Sequence, residues 1–433
     1  MPFAKSKRSF AFLGRLGAVG LMVVAVAPVA ARADGAGGSA GEIGETGQLL
    51  SPEPIGGASG WSAAPPVESM LPFYDLDWSL GLRGSYIRDS QSGDRYKALA
   101  LPSVTLTHTS DHFAYHGTAD GQFSKTGDGA INVDAARLAI GTALQFDPET
   151  SLSSNASLSM TQEDPNSPDV GSNVVETPKE YSGSADSTFK HGFGRFNVSV
   201  SGSAGRDIYG STTLTGGALV DNTGQNNTHG GVGLRLGFQL TPIIELFAEG
   251  NATRAVYDAP LASLSTKLDG NLFTVMGGAS ANWHDRLIAS ASAGFGVERF
   301  DAASLADVRA TLYDASLTYK PDSTLTLTGD FTTTMGAPGV TGSGTAKLDY
   351  EATASAAYQI NDWLGWRASA GWHDTSFAAS SGTDTGYTLG VGADYLLSRH
   401  AMLSADYGFE HDEVPPAPAQ DVHTVTLGLT LKK

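Results

Sequence analysis

The sequence predicts an all-β fold, a transmembrane antiparallel up-and-down β-barrel of about 18 strands. Three observations point there. Apolar and polar residues alternate from Trp78 onward, polar connections run short and long in turn, and aromatic residues recur at spacings that fit two membrane interfaces. The 433 residues include no cysteine, which excludes disulfides, iron–sulfur clusters and thiolate zinc sites.

The first element in order is an export signal over residues 1–33. Lys5, Lys7, Arg8 and Arg15 precede an apolar stretch from Leu16 to Ala27, and Ala31-Arg32-Ala33 offers the small residues of a cleavage site. A membrane-spanning helix needs about 20 apolar residues, and this stretch is far shorter. Of the 27 Lys and Arg, cleavage removes five, and it removes none of the 45 Asp and Glu, so the formal charge moves from −18 to −23. Nucleic acid is thereby disfavoured as a partner, because phosphate binding needs a basic face. Residues 34–74 are rich in Gly, Ser, Ala and Pro and lack periodicity. They read as a flexible periplasmic lead-in, too small for the plug of a TonB-dependent receptor.

The barrel is expected over residues 75–433. Trp78, Leu80, Leu82 and Tyr86 fall on one face of the first strand, with Ser79, Gly81, Arg83 and Ser85 on the other. The pattern recurs in Phe113–Phe123, Leu138–Phe146, Val232–Leu240, Leu287–Val297, Leu348–Ile360, Leu364–Trp372, Tyr387–Tyr395 and Leu403–Phe409. Successive side chains of a strand point to opposite sides, so each segment offers one lipid-compatible face and one wet face. Strands of about ten residues suffice to cross hydrocarbon when every backbone group is paired in a closed ring.

Short turns are expected at Ser110-Asp111, Asp147-Pro148-Glu149, Gly192-Phe193-Gly194, Thr241-Pro242, His284-Asp285, Pro321-Asp322, Asn361-Asp362 and Ser398-Arg399. Longer polar loops lie between them at 163–180, 207–230, 255–266, 301–309, 336–344, 375–384 and 411–420. Short periplasmic turns with long outer loops are the asymmetry of outer-membrane barrels, and an even strand count puts both ends in the periplasm. Segment 181–191 is the most weakly patterned, so about 16 strands is the alternative count. A girdle is expected from Trp78, Tyr86, Phe113, Phe123, Trp366, Trp372, Tyr387 and Tyr395. Trp78 and Tyr86, like Tyr387 and Tyr395, stand eight residues apart, roughly 20 Å of height in a tilted strand. A soluble β-sandwich or β-solenoid also alternates, but there is no fixed-length repeat, and alternating turn lengths are foreign to both.

Thr253-Arg254-Ala255-Val256-Tyr257-Asp258 and, one hairpin later, Gly296-Val297-Glu298-Arg299-Phe300-Asp301 are similar strand exits, and Tyr313-Asp314-Ala315-Ser316-Leu317-Thr318-Tyr319-Lys320-Pro321 is a strand ending in an aromatic, a base and Pro. On these residues the region from about Ser79 to the C-terminus resembles the putative β-barrel porin type 2 family. Phe300 and Val256 depart from its pattern, and so does the non-aromatic ending Thr430-Leu431-Lys432-Lys433. Members are often associated with exopolysaccharide production, so the resemblance implies polysaccharide export or assembly at the outer membrane of a Gram-negative bacterium.

About 18 strands leave an aqueous lumen. By parity its wall takes the acids Asp120, Asp186, Glu245, Glu249, Glu298 and Asp314. It also takes Asp330, Asp349, Glu351, Asp394, Asp406 and Glu410, against the bases Arg83, Arg137, Arg235 and Arg367. Any wet wall carries charges, but the excess of acids suggests a pore tolerant of cations. Segment 207–230 is the loop expected to constrict it, if one does. No enzyme is expected: His373-Asp374 and Glu410-His411-Asp412 are neighbours in strands and so point to opposite faces. Asp89, Asp94 and Asp221 lack EF-hand spacing, and Gly231, Gly233 and Gly237 precede no helix that could make a dinucleotide site. No cofactor or metal is expected. The expected partners are outer-membrane lipid and lipopolysaccharide, with polysaccharide and periplasmic export proteins if the resemblance extends to function. Two other functions fit the sequence: a general diffusion porin for small cations or neutral solutes, and a surface interaction protein acting through loops 163–180 and 207–230.

Overall fold

The computed structural model describes residues 74–433 except 128, 168–169, 171–172, 340–343, 381 and 416. The expected export signal and the lead-in up to residue 73 lie outside the described residues. The strands in order are β1 (Asp75–Asp89), β2 (Gly93–Thr109), β3 (Phe113–Thr126), β4 (Ile131–Asp147), β5 (Thr150–Gln162), β6 (Val174–Glu176) and β7 (Lys179–Phe193). There follow β8 (Phe196–Tyr209), β9 (Thr212–Leu214), β10 (Leu219–Val220), β11 (Asn227–Gln239), β12 (Ile244–Tyr257), β13 (Gly270–Trp283) and β14 (Leu287–Phe300). The last are β15 (Val308–Tyr319), β16 (Leu325–Gly336), β17 (Lys347–Asn361), β18 (Leu364–Phe377), β19 (Thr383–Ser398), β20 (Ala401–Glu413) and β21 (Gln420–Lys432).

Eighteen strands form one antiparallel sheet that closes on itself, because β1 pairs with both β2 and β21. Closure removes the exposed edges that an open sheet of this size would present. The strands of the ring run from 12 to 17 residues, enough to cross a bilayer when tilted. The remaining three, β6, β9 and β10, make a small separate sheet that joins the connection after β5 to the one after β8.

Alternation sets which face is which. In β4 Leu138, Ile140, Leu144 and Phe146 are exposed, whereas Ala139 and Gly141 between them are buried. The same contrast runs round the ring through Val232, Leu234 and Leu236 of β11, Leu389 and Val391 of β19, and Leu427 of β21. A soluble protein does not carry so continuous an apolar belt on its outside; hydrocarbon accommodates it. Among the described residues no helix is long and apolar enough to cross a membrane, and these strands need none.

One end of the ring is tight. Its connections are 110–112, 148–149, 194–195, 240–243, 284–286, 320–324, 362–363 and 399–400. Their residues account for the turns: His284 and Asp285 both adopt positive φ, and the Asp322 carboxylate accepts the backbone N–H groups of Thr324 and Leu325 at 2.8 and 3.0 Å. The other end carries the long connections, with three exceptions. Segments 90–92, 127–130 and 378–382 are short, the first closed by Asp89, whose Oδ1 accepts from the N–H of Gln91 at 2.8 Å.

Segment 181–191 is part of a full strand, β7, so the expected count of 18 holds over the alternative of 16. Loop 207–230 is shorter than expected, since β8 continues to Tyr209 and β11 begins at Asn227. An inward lean is seen at the β16–β17 hairpin. The pairing of β15 with β16 stops at Asp314 and Thr332. Beyond that point Met335 and Leu348, outward by parity, are buried against Val308 and Leu312, inward residues of β15. The end of the hairpin therefore folds over the inner side of its neighbours. Gly339 accepts a hydrogen bond from the Gln225 side chain at 2.7 Å, tying it to the connection after β8.

Candidate functional site

The inner wall of the ring is the candidate site, and strand register builds it residue by residue. Directly paired residues of neighbouring strands share a face. Asp120 pairs with Arg137, Arg137 with Ser159, and Ser159 with Ser182. Asp186 leads on through Ser203 to Gly231. Arg235 pairs with Glu249, Glu249 with Met276, Leu272 with Glu298, and Ser292 with Asp314. Asp330 pairs with Thr353, Glu351 with His373, Gly392 with Asp406 and Thr388 with Glu410. Followed in this way, the register puts Arg83, Glu245, Asp349, Arg367 and Asp394 on that same face, opposite the exposed apolar belt. Trp78, Phe123, Trp366, Trp372, Tyr387 and Tyr395 are exposed on the outer face, and Tyr86 and Phe113 are half-buried there.

The wall has two unlike sides. Across β5, β7 and β8 its inner residues are short and neutral in the main: Ser157, Ser159, Ser182, Ser184, Ser199 and Ser201 belong to it. They bond to one another, as Ser157 does with Ser184 at 2.9 Å and Asn155 with Asp186 at 3.1 Å. Across β18, β19, β20 and β1 the wall is charged. Arg367 holds Asp394 at 2.8 Å and Asp406 at 2.6 Å. Burial of Asp394 is nearly complete, so the guanidinium compensates carboxylates that would otherwise repel each other. A second cluster joins Arg235 to Glu245 at 2.7 Å and lays the guanidinium over the Phe247 ring at 4.2 Å.

Sequence reasoning missed several inner groups. Lys97 meets Asp134 and Asp164 at 3.4 and 3.3 Å, Arg95 meets Asp89 at 2.9 Å, and Lys347 meets Asp349 at 2.9 Å. Lys190 lies on the face of Asp186, four residues on in β7, where simple parity could have found it. His373, Asp384 and Asp412 converge near the long-loop end of β18, β19 and β20. Asp374 and His411 point outward beside them, as strand geometry requires, and His411 bonds to Asp421 at 2.6 Å instead. Asp89 and Asp221 serve turns, each accepting a nearby backbone N–H. Gly233 is a strand residue: a side chain there would meet Asn251 Oδ1 and Ser201 Oγ at 2.4 Å.

A family model described as "Putative beta-barrel porin 2" matches residues 88–433, most of the described ring. The chain belongs to that family. The outer face explains one signature of this porin, the repeated Arg and Asp at strand exits. Arg206 grips Asp258, and Arg254 grips Asp301 with a bond of 2.8 Å, so each arginine reaches the aspartate that leaves a neighbouring hairpin. Hydrogen bonds from these guanidinium groups hold both carboxyls below the ordinary aspartate value.

Among solved structures, the porin is similar to Pseudomonas aeruginosa OpdK with vanillate (10% identity, 83% of this chain, 99% of that chain, TM-score 0.42). It is also similar to Pseudomonas aeruginosa OccK5 (OpdH), at 12% identity over 83% of this chain and 98% of that one, TM-score 0.42. Acinetobacter baumannii OccAB4 matches at 11%, over 83% and 98%, TM-score 0.41. No curated protein matches the chain.

Proposed function

We propose that this porin is an outer-membrane pore taking part in exopolysaccharide export or assembly, delivered to a Gram-negative outer membrane by a cleaved signal peptide. The observation that supports it most is the hydroxyl-lined side of the inner wall, Ser157, Ser159, Ser182, Ser184, Ser199 and Ser201 across three adjacent strands. A sugar chain carries hydroxyl groups and little charge. A wall of short hydroxyls and amides can exchange hydrogen bonds with such a chain and with water at similar energy, which favours passage over capture. No chemical step is assigned to the wall: its role is to hold a wet path open. Lipid and lipopolysaccharide would surround the apolar belt, and periplasmic export proteins would meet the tight-turn end.

The test is deletion of the gene with secreted polysaccharide as the readout, complemented by the wild-type chain. Loss of secreted polymer, restored by complementation, is expected. Unchanged secretion with reduced uptake of small solutes would turn the assignment to a general diffusion porin. That second reading has its own support in the acids of the inner wall. It expects a cation-preferring conductance in planar bilayers, and anion selectivity in the unmodified protein would exclude it.

A further inference from the structure

We propose that His373, Asp384 and Asp412 form a binding site for a divalent first-row transition-metal cation on the inner wall, near the long-loop end of the barrel. The three come from three successive strands, and one donor atom of each lies within 4.8 Å of the other two. His373 Nε2 stands 3.4 Å from Asp384 Oδ1 and 3.3 Å from Asp412 Oδ1. Two donors bound to one ion at about 2.1 Å each stand about 3.0–3.4 Å apart at tetrahedral or octahedral angles, so the spacing already suits a shared ion.

Two further observations point to a ligand. The Asp412 side chain is 1% exposed, yet neither of its carboxylate oxygens has a hydrogen-bond partner. A buried carboxylate left in that condition is costly unless a cation compensates it; the imidazole edge approaches Oδ1, and the neighbouring carboxyl groups of Glu410 and Asp384 add negative charge rather than relieve it. The second observation is Gly386, which pairs with His373 on one side and Asp412 on the other. A Cβ at Gly386 would lie 2.0 Å from Asp412 Oδ1 and 2.5 Å from His373 Cε1. The position between the donors is thus kept empty by the one residue without a side chain. An imidazole with two carboxylates favours Zn²⁺, Mn²⁺ or Fe²⁺ over Ca²⁺ and Mg²⁺, which prefer oxygen alone.

The test is titration of Zn²⁺ into tag-free, chelator-stripped protein refolded in detergent, followed by calorimetry, with Mg²⁺ as the comparison ion. Saturable binding of one Zn²⁺ is expected, with Mg²⁺ much weaker. D412N and H373Q should each weaken it by about tenfold or more. G386A keeps every donor and should weaken it too, by filling the space between them. Circular dichroism and heat-modified gel mobility establish that each variant is folded; if D412N does not fold, H373Q and G386A carry the comparison. Absence of saturable Zn²⁺ binding, Mg²⁺ binding of equal strength, or unchanged Zn²⁺ affinity in the folded variants would overturn the proposal.

Discussion

The wall built by β5, β7 and β8 and the wall built by β18, β19, β20 and β1 do the same architectural work with opposite chemistry. On the first, Ser157 and Ser184 bond to each other at 2.9 Å, and the charges Glu180, Asp186, Lys190 and Asp207 are spread among short hydroxyls. On the second, Arg367 is locked between Asp394 and Asp406. Both present the same outward face, with Phe189 and Val200 on one side and Trp366 and Leu389 on the other. The difference shows where this fold constrains its sequence. Lipid accepts only apolar groups outside, whereas water inside accepts hydroxyls or paired charges alike, leaving the inner wall free to specialise for a solute.

The sharpest way to break this comparison is to put the same charge on either face. Leu234→Arg, at mid-height on the outer face of β11, should destabilise the folded barrel by about 2–4 kcal/mol. Ser201→Arg, inside the neighbouring strand β8, should cost far less and alter conductance instead. Urea unfolding in lipid vesicles reads both. Equal costs would mean that the two faces do not meet different solvents.

Next in size is removal of the cation from the charged wall. Arg367→Ala leaves Asp394 and Asp406 without their shared partner, at a cost of about 2 kcal/mol once solvent in the lumen is allowed for. Ser184→Ala on the hydroxyl wall should change stability by well under 1 kcal/mol, because it removes one neutral bond from a wet surface. A larger cost for the serine would reverse the ranking of the two walls.

Neutralising Glu245, Glu249 and Glu351 to glutamine should reduce cation preference, as read from the reversal potential across a salt gradient; of the three, Glu245→Gln should also lower stability, because it breaks the pair with Arg235. The smallest effect concerns the outer face. Asp258 and Asp301 lie beyond the ends of β12 and β14, and arginine bonding holds their carboxyls lower in the folded state than in the unfolded chain. Their contribution is therefore present above the unfolded value of about 4 and is lost as pH falls through the lower folded values. D258N with D301N should flatten that acid limb slightly in unfolding measured against pH.

Much of the ring was legible in the sequence because the period of two is enforced by lipid on one face alone. Val232–Leu240 and Leu138–Phe146 show it plainly. Segment 181–191 shows its strand only weakly because Ser187 and Ala185 weaken the outer face while Ser182 and Ser184 line the inner one. The lean of β16–β17 was not legible, since Met335 and Leu348 keep the alternation of lipid-facing residues and only the early end of the β15–β16 pairing turns them inward. The trio His373, Asp384 and Asp412 escaped for a similar reason. Their closeness is set by register across three strands and leaves no spacing motif along the chain.

Because the chain has no cysteine, single cysteines can be introduced one at a time along β8 and β18 and probed with a charged, water-soluble maleimide in intact vesicles. At Ser199, Ser201 and Ser369 labelling is expected from the aqueous lumen. Cysteines in place of Val198, Val200, Ala368 and Ala370 should stay protected and become reactive only when the bilayer is dissolved. Uniform labelling of both sets, or protection of the first set with labelling of the second, would contradict a ring that is wet inside and greasy outside.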